Sequence, residues 1–138
     1  MTQCSIDIAK DEELLDIIAK SGCYVLSFGL ESITRESLVS MNKAWAHPEN
    51  YSEQIRIIRK HGIDISTEMV VGADGDTLES IRKTADFISD NHIAVPRFYI
   101  LTPIPGTKFL TKWKSRSVSI IRIFTPIIPV RRCMCRRI

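Results

Sequence analysis

Apolar and polar positions alternate along the first 110 residues in a regular rhythm. CSIDIA (4–9) is short and alternating, which predicts a strand. Asp11, Glu12 and Glu13 then place acids in a first helical turn, Leu14, Leu15, Ile17 and Ile18 form an apolar stripe, and Lys20 before Gly22 marks a helix end. YVLSFGL (24–30) predicts the next strand, followed by a helix over about Thr34 to Met41. Pro48 suits a helix's first turn, and Tyr51, Ile55 and Ile58 keep one face as far as Gly62. IDISTEMVV (63–71) predicts a third strand. GADGDTLES then opens a helix whose predicted buried face is Leu78, Ile81, Ala85 and Ile88, with Asp76 and Glu79 at capping-box spacing. AVPRFYIL (94–101) predicts a fourth strand, with Pro96 near its start, where a missing donor costs least.

Strands separated by helical segments of this length predict right-handed βαβ crossovers and a parallel sheet, since antiparallel hairpins need only short turns. The fold class expected is therefore α/β. In such sheets the loops after the strands' carboxyl ends gather on one edge, where open sheets and β/α barrels alike bind ligands. Glu31-Ser32, the turn from Gly72 to Asp76 and the stretch TPIPGT (102–107) all fall at such ends and are predicted to share one rim. Plainer readings stand beside this one. Glu31 and Ser32 also suit a helix cap, and TPIPGT suits a rigid turn. GADGDT lacks both G-x-G-x-x-G and the P-loop lysine, which argues against a phosphate cradle.

Composition sharpens the boundaries. The 138 residues, 44% hydrophobic and 25% charged, suit one globular domain with a single core. A net charge of +3 conceals an asymmetry, because every acid lies at or before Asp90 while Lys and Arg continue to Arg137. No apolar run approaches the roughly 18–20 residues of a membrane span and no signal-peptide pattern opens the chain, so a cytoplasmic protein is expected. Cys4, Cys23, Cys133 and Cys135 are too sparse for a disulfide scaffold.

The succession CSIDIA, YVLSFGLESI with LVSMNK following, HGIDISTEMVVGADGDTLESIRKT, and FYILTPIPGT resembles the radical S-adenosylmethionine superfamily, in particular its multidomain members with a cobalamin-binding domain. The resemblance covers about residues 4–110. It implies a fragment of a partial (β/α) TIM-type barrel with about four βα units, similar to strands three to six of that barrel. It also implies an enzyme using S-adenosylmethionine and a four-iron four-sulfur cluster for radical chemistry, with cobalamin as a further cofactor of the full-length protein.

By the same resemblance Glu31 and Ser32 fall where the family contacts the nucleoside. Ser66 or Glu68 would point into the barrel, Gly72 would let backbone approach the adenine, and Thr102 and Pro103 would flank its edge. Alternation alone leaves open which side of 63–71 faces inward. The family's C-x3-C-x2-C thiolate motif is absent. No metal ligand is therefore assigned, and the isolated chain is expected to be inactive without the barrel's N-terminal half.

From Thr111 onward the sequence changes character, with no acid and two prolines breaking its longest apolar stretch. Residues 111–138 are expected to lie outside the family fold. Contact with RNA or a membrane through Arg131, Arg132, Arg136 and Arg137 is the weaker expectation for that tail, and a non-catalytic α/β interaction module is the alternative for the whole chain. The uncovered first strand predicts self-association.

Overall fold

A computed structural model of the chain describes residues 1–115. Its contacts divide the chain into two units, Met1–Leu101 and Thr102–Ile138. In the first, four strands form one sheet in the order β1-β2-β3-β4, with β1 at Thr2–Gln3, β2 at Val25–Glu31, β3 at Asp64–Val71 and β4 at Val95–Ile100. Every neighbouring pair is parallel. Each crossover contains helix: α1 (Glu12–Lys20) between β1 and β2, α2 (Arg35–Ser40) and α3 (Tyr51–Lys60) between β2 and β3, and α4 (Leu78–Asp90) between β3 and β4. Strands taken in sequential order with a helical crossover at each step make an arc of a β/α barrel.

The core lies between this sheet and its helices. Leu26, Phe28 and Leu30 from β2 and Ile65 and Met69 from β3 pack with Leu15 of α1 and Tyr51, Ile55 and Ile58 of α3. All are almost completely buried, and a buried Leu, Ile or Phe contributes about 1.5–3 kcal/mol. The α3 face predicted from Tyr51, Ile55 and Ile58 is therefore the packed face.

Several expected boundaries move. CSIDIA is not a strand: pairing is confined to Thr2 and Gln3, with Cys4 N–H donating once more to Ser27 O at 3.1 Å. Residues Ile6–Lys10 instead form a 3₁₀ turn capped by Ser5, whose Oγ accepts from Asp7 N–H. Ile6 and Ala9, three apart, share a face of such a turn and pack toward the core, so the apparent alternation was half of a three-residue period. On α1 Leu15, Ile18 and Ala19 pack inward, whereas Leu14 and Ile17 are exposed.

Of the stripe expected on α4 only Ile88 packs against the core, joined by Phe87, whereas Leu78, Ile81 and Ala85 are exposed. Its capping box is Thr77 with Ser80, one residue beyond the expected pair of Asp76 and Glu79. Asp76 is occupied elsewhere, as described below.

In the second unit α5 (Lys108–Ser115) crosses residue 111, where the change in composition begins, and Thr107 Oγ1 accepts from Leu110 N–H at its start. The arginines and cysteines from 131 to 137 lie outside the described residues.

Candidate functional site

Two polar groupings stand on β2 and β3, one on the rim at their carboxyl ends and one further back along the strands, on the sheet's face away from the helices. The rim grouping begins at a break in the ladder. Pairing of β2 with β3 shifts register between Gly29 and Glu31, a bulge, and Glu31 takes φ 64. A left-handed backbone at a residue other than Gly, Asn or Asp is costly, of order 1–3 kcal/mol, and persists only where its surroundings enforce it. Two neighbours enforce it here. Lys43 Nζ donates to Glu31 Oε1 at 2.6 Å, with both side chains largely buried. Gly29 supplies the space, since a Cβ there would stand 3.0 Å from Glu31 Oε1. Oε2 makes no hydrogen bond to another described residue, so one carboxylate oxygen is fixed and the other is left to accept.

Ser32 follows, 5% exposed. Its Oγ accepts from Thr34 N–H at 3.1 Å and lies 3.2 Å from Thr34 Oγ1. Thr34 Oγ1 donates to Ser37 Oγ at 2.9 Å, and Ser37 Oγ donates to Asp76 Oδ1 at 2.5 Å. The direction is thereby fixed, with each hydroxyl proton pointing toward Asp76 and Ser32 as the first donor. The other oxygen of Asp76 accepts from Gly72 N–H at 2.7 Å and Ala73 N–H at 3.0 Å. One carboxylate thus joins the loop after β3 to the start of α2. Close backbone approach permits it: a Cβ on Gly75 would stand 2.7 Å from Glu36 C and Ser37 N. Gly72 itself sits at φ 99.

The second grouping answers which side of β3 faces away from the helices. Ile65 and Met69 belong to the helix-packed core, so Ser66 and Glu68 share the opposite face. Ser66 is 1% exposed and its Oγ donates to Val95 O at 3.1 Å. Glu68 Oε1 is 3.1 Å from Arg97 Nη2, which also donates to Ser27 Oγ at 2.6 Å. Register explains the meeting, since Gly29, Glu68 and Arg97 are neighbours across three strands.

Glu31, Ser32, Ser66, Glu68 and Gly72 thus all lie in the first unit, with Glu31, Ser32 and Gly72 at the carboxyl ends of β2 and β3 and Ser66 and Glu68 within β3. Thr102 and Pro103 open the second unit, between β4 and α5. Sequence reasoning missed Lys43, Ser37, Ser27 and Arg97. Arg97 was within reach, because strand parity puts it beside Glu68 once β4 is paired with β3. Lys43 closes the LVSMNK stretch that carries the resemblance, but periodicity gave it no role, since it reaches Glu31 from an irregular loop.

Among the described residues no group of three or more His, Cys, Asp or Glu is placed to hold a metal ion. Cys4 and Cys23 are free thiols, and burial, with Cys23 adding to it, pushes the Cys4 thiol above its usual range. No described helix is long and apolar enough to cross a membrane.

A model of the radical SAM superfamily matches residues 1–88. Bacteriochlorophyllide d C-12(1)-methyltransferase of Chlorobaculum tepidum is 36% identical over 112 residues, which cover 81% of this chain and 25% of that protein. Anaerobic magnesium-protoporphyrin IX monomethyl ester cyclase of Cereibacter sphaeroides is 31% identical over 101 residues, covering 73% and 16%. The chain therefore spans about a quarter, or less, of the length of these relatives. Among solved structures, the radical S-adenosylmethionine methyltransferase TsrM from Kitasatospora setae, with cobalamin and a 4Fe-4S cluster bound, superposes with a TM-score of 0.69 at 24% identity, over 83% of this chain and 22% of that one. This likeness shows the fold, a segment of a TIM-type barrel.

Proposed function

The chain belongs to the radical SAM superfamily, and on that premise we propose that its β2–β3 rim is the nucleoside-holding part of an enzyme that uses S-adenosylmethionine. The observation that carries this reading is Glu31. Its carboxylate is held in a strained backbone conformation by Lys43 and Gly29, with one oxygen free to accept hydrogen bonds from a ribose's hydroxyls. A strained, over-determined carboxylate at a strand's carboxyl end is the signature of a positioned ligand contact.

Ser32 and Gly72 take supporting parts. Their hydrogen-bonded link through Asp76 fixes the loops on either side of the nucleoside. Ser66 and Glu68, with Arg97 beside them, form the polar floor of the barrel's inner face. S-adenosylmethionine supplies an activated methyl or adenosyl group, and these residues bind and orient its nucleoside end.

The described residues do not fit the iron–sulfur cluster. Cys4 and Cys23 are two thiols rather than three, the first is disfavoured as a thiolate, and no further ligand stands near them. The reading therefore assigns cluster binding to residues other than these, in the N-terminal part of a complete barrel. The isolated chain is then a binding arc without turnover of its own. Methyl transfer, in a cytoplasmic protein that also binds cobalamin, is the activity this reading gives the complete enzyme. Free thiols at Cys4 and Cys23 agree with a reducing compartment.

The test is calorimetric titration with 5′-methylthioadenosine, which keeps the nucleoside and lacks the amino-acid end. We expect binding of order 0.1–1 mM, and Glu31→Gln should weaken it about tenfold or more at an unchanged melting temperature, as for loss of a charge-assisted hydrogen bond of ~1.5–3 kcal/mol. If Glu31→Gln lowers stability and leaves affinity intact, the carboxylate serves only the fold.

A further inference from the structure

The hydroxyl chain from Ser32 to Asp76 runs one way, and its direction fixes what Ser32 offers a ligand. Asp76 Oδ2 accepts from Gly72 N–H at 2.7 Å and Ala73 N–H at 3.0 Å, and Oδ1 accepts from Ser37 Oγ at 2.5 Å. A hydroxyl has one proton and two lone pairs. With its proton on Asp76, Ser37 Oγ accepts from Thr34 Oγ1 at 2.9 Å, and Thr34 Oγ1 in turn accepts from Ser32 Oγ at 3.2 Å. Ser37 is fully buried and Ser32 is 5% exposed, so bulk water does not compete for the ends of this chain.

The account of Ser32 Oγ is then nearly complete. Its proton goes to Thr34 Oγ1, and one lone pair takes the Thr34 N–H at 3.1 Å. The other lone pair has no partner among the described residues. Toward a ligand, Ser32 accepts and does not donate. Hydroxyls in a chain that ends on a carboxylate polarise one another toward the anion, which strengthens the acceptor at the far end.

We propose that Asp76, acting through Ser37 and Thr34, is a positioning residue that holds Ser32 as an acceptor, so that the rim selects a nucleoside carrying a hydrogen-bond donor at that point. This rests on the reading of the rim as the nucleoside's place, and adds to it the polarity of one contact and the residue that sets it. Asp76→Asn inverts that polarity. The Asn oxygen keeps the amides of Gly72 and Ala73, and the Asn amide donates to Ser37 Oγ. Ser37 then donates to Thr34 Oγ1, and Thr34 Oγ1 to Ser32 Oγ. Both lone pairs of Ser32 Oγ are filled, by Thr34 Oγ1–H and Thr34 N–H, and its proton turns to the ligand.

The experiment is calorimetric titration of the whole chain with 5′-methylthioadenosine and with analogues that each exchange one donor for an acceptor. These are the 2′-fluoro and 3′-fluoro nucleosides and 5′-methylthioinosine, which carries oxygen in place of the 6-amino group. The exchange that Ser32 reads should weaken binding about tenfold in the unaltered chain, as for one neutral hydrogen bond. In Asp76→Asn the same exchange should cost nothing or improve binding. A ratio of two affinities for one folded protein does not follow its stability, so a merely structural Asp76 leaves the ratio where it was. Glu31→Gln should weaken 5′-methylthioadenosine while the exchange read by Ser32 keeps its ratio. If Asp76→Asn preserves all three ratios, the proposal is overturned and the nucleoside site stands. If no nucleoside binds, or Glu31→Gln leaves every affinity intact, both fall. Should Asp76→Asn fail to fold, Ser37→Ala serves instead: it removes the acceptor of Thr34 Oγ1, frees that hydroxyl to donate to Ser32, and should erase the same ratio.

Discussion

Replacing Asp76 should unfasten the rim, and the size of the effect follows from what each oxygen does. Oδ2 accepts from Gly72 and Ala73 N–H, and Oδ1 accepts from Ser37 Oγ. In Asp76→Ala the Gly72 amide, on an exposed residue, returns to water at little cost. The Ala73 amide belongs to a residue only 6% exposed, and Ser37 is fully buried, so both lose a charged acceptor without full compensation. At ~1–3 kcal/mol for each buried orphan, the expected loss is about 3–4 kcal/mol.

Asp76→Asn should behave differently. Its remaining oxygen keeps the two amides, and its new amide can donate to Ser37 Oγ if Ser37, Thr34 and Ser32 reverse their hydroxyl protons. Only the charge assistance is lost, so about 1 kcal/mol is expected. Urea unfolding of the three proteins separates the cases, with unchanged m-values showing that the native state is intact. Equal costs for Asn and Ala, or a cost for Ala below about 1 kcal/mol, would refute the claim that this carboxylate joins the two loops.

Two further predictions concern the rest of the fold. The Tyr51 phenol titrates at about 12 when folded against about 10 when unfolded. The folded state thus holds the proton more tightly, so its contribution is full below pH ~10 and is lost as pH rises through ~12. The loss should reach at most about 2–3 kcal/mol over that window and should be missing in Tyr51→Phe, as read by unfolding at stepped pH beside the phenolate absorbance. Leu78 and Ile81 on α4 and Phe98 on β4 are exposed apolar groups at 66%, 40% and 52%, and β1 leaves an edge only two residues long. Dimers or larger species at micromolar concentration are therefore expected in sedimentation velocity, reduced by Leu78→Glu with Phe98→Glu, whereas a monodisperse monomer would show that these faces are not adhesive.

The α/β class and the parallel sheet were legible because strand-period and helix-period segments alternate from Tyr24 to Ile100, broken by the irregular stretch between α2 and α3. Where the reading failed, a short segment satisfied two periods at once. Ile6, Ile8 and Ala9 fit an alternating strand and also a three-residue turn, and the Ser5 cap decides for the turn. On α4, Leu78 and Ile81 fit the helical stripe, yet packing selects Phe87 and Ile88 and leaves the N-terminal half of that stripe in solvent. The rim was legible as a place, since strand ends gather on one edge, but its chemistry was not. That Glu31 is strained, that Lys43 holds it from 12 residues away, and that Asp76 closes a hydroxyl relay from Ser32 are consequences of the bulge at Gly29 and of backbone contact at Gly75. Neither leaves a mark in spacing.

The most direct test of the central claim is a resonance map of the nucleoside's footprint. With 5′-methylthioadenosine, backbone amides from Glu31 to Thr34 and from Gly72 to Asp76 should shift together and saturate at one common affinity. Replacing the ribose hydroxyl that Glu31 accepts from, by using the 2′-deoxy and 3′-deoxy analogues, should weaken binding for one of the two by the same factor as Glu31→Gln, and the two changes combined should cost no more than either alone. Shifts spread evenly over the surface, or confined to residues away from Glu31 and Gly72, would contradict the account.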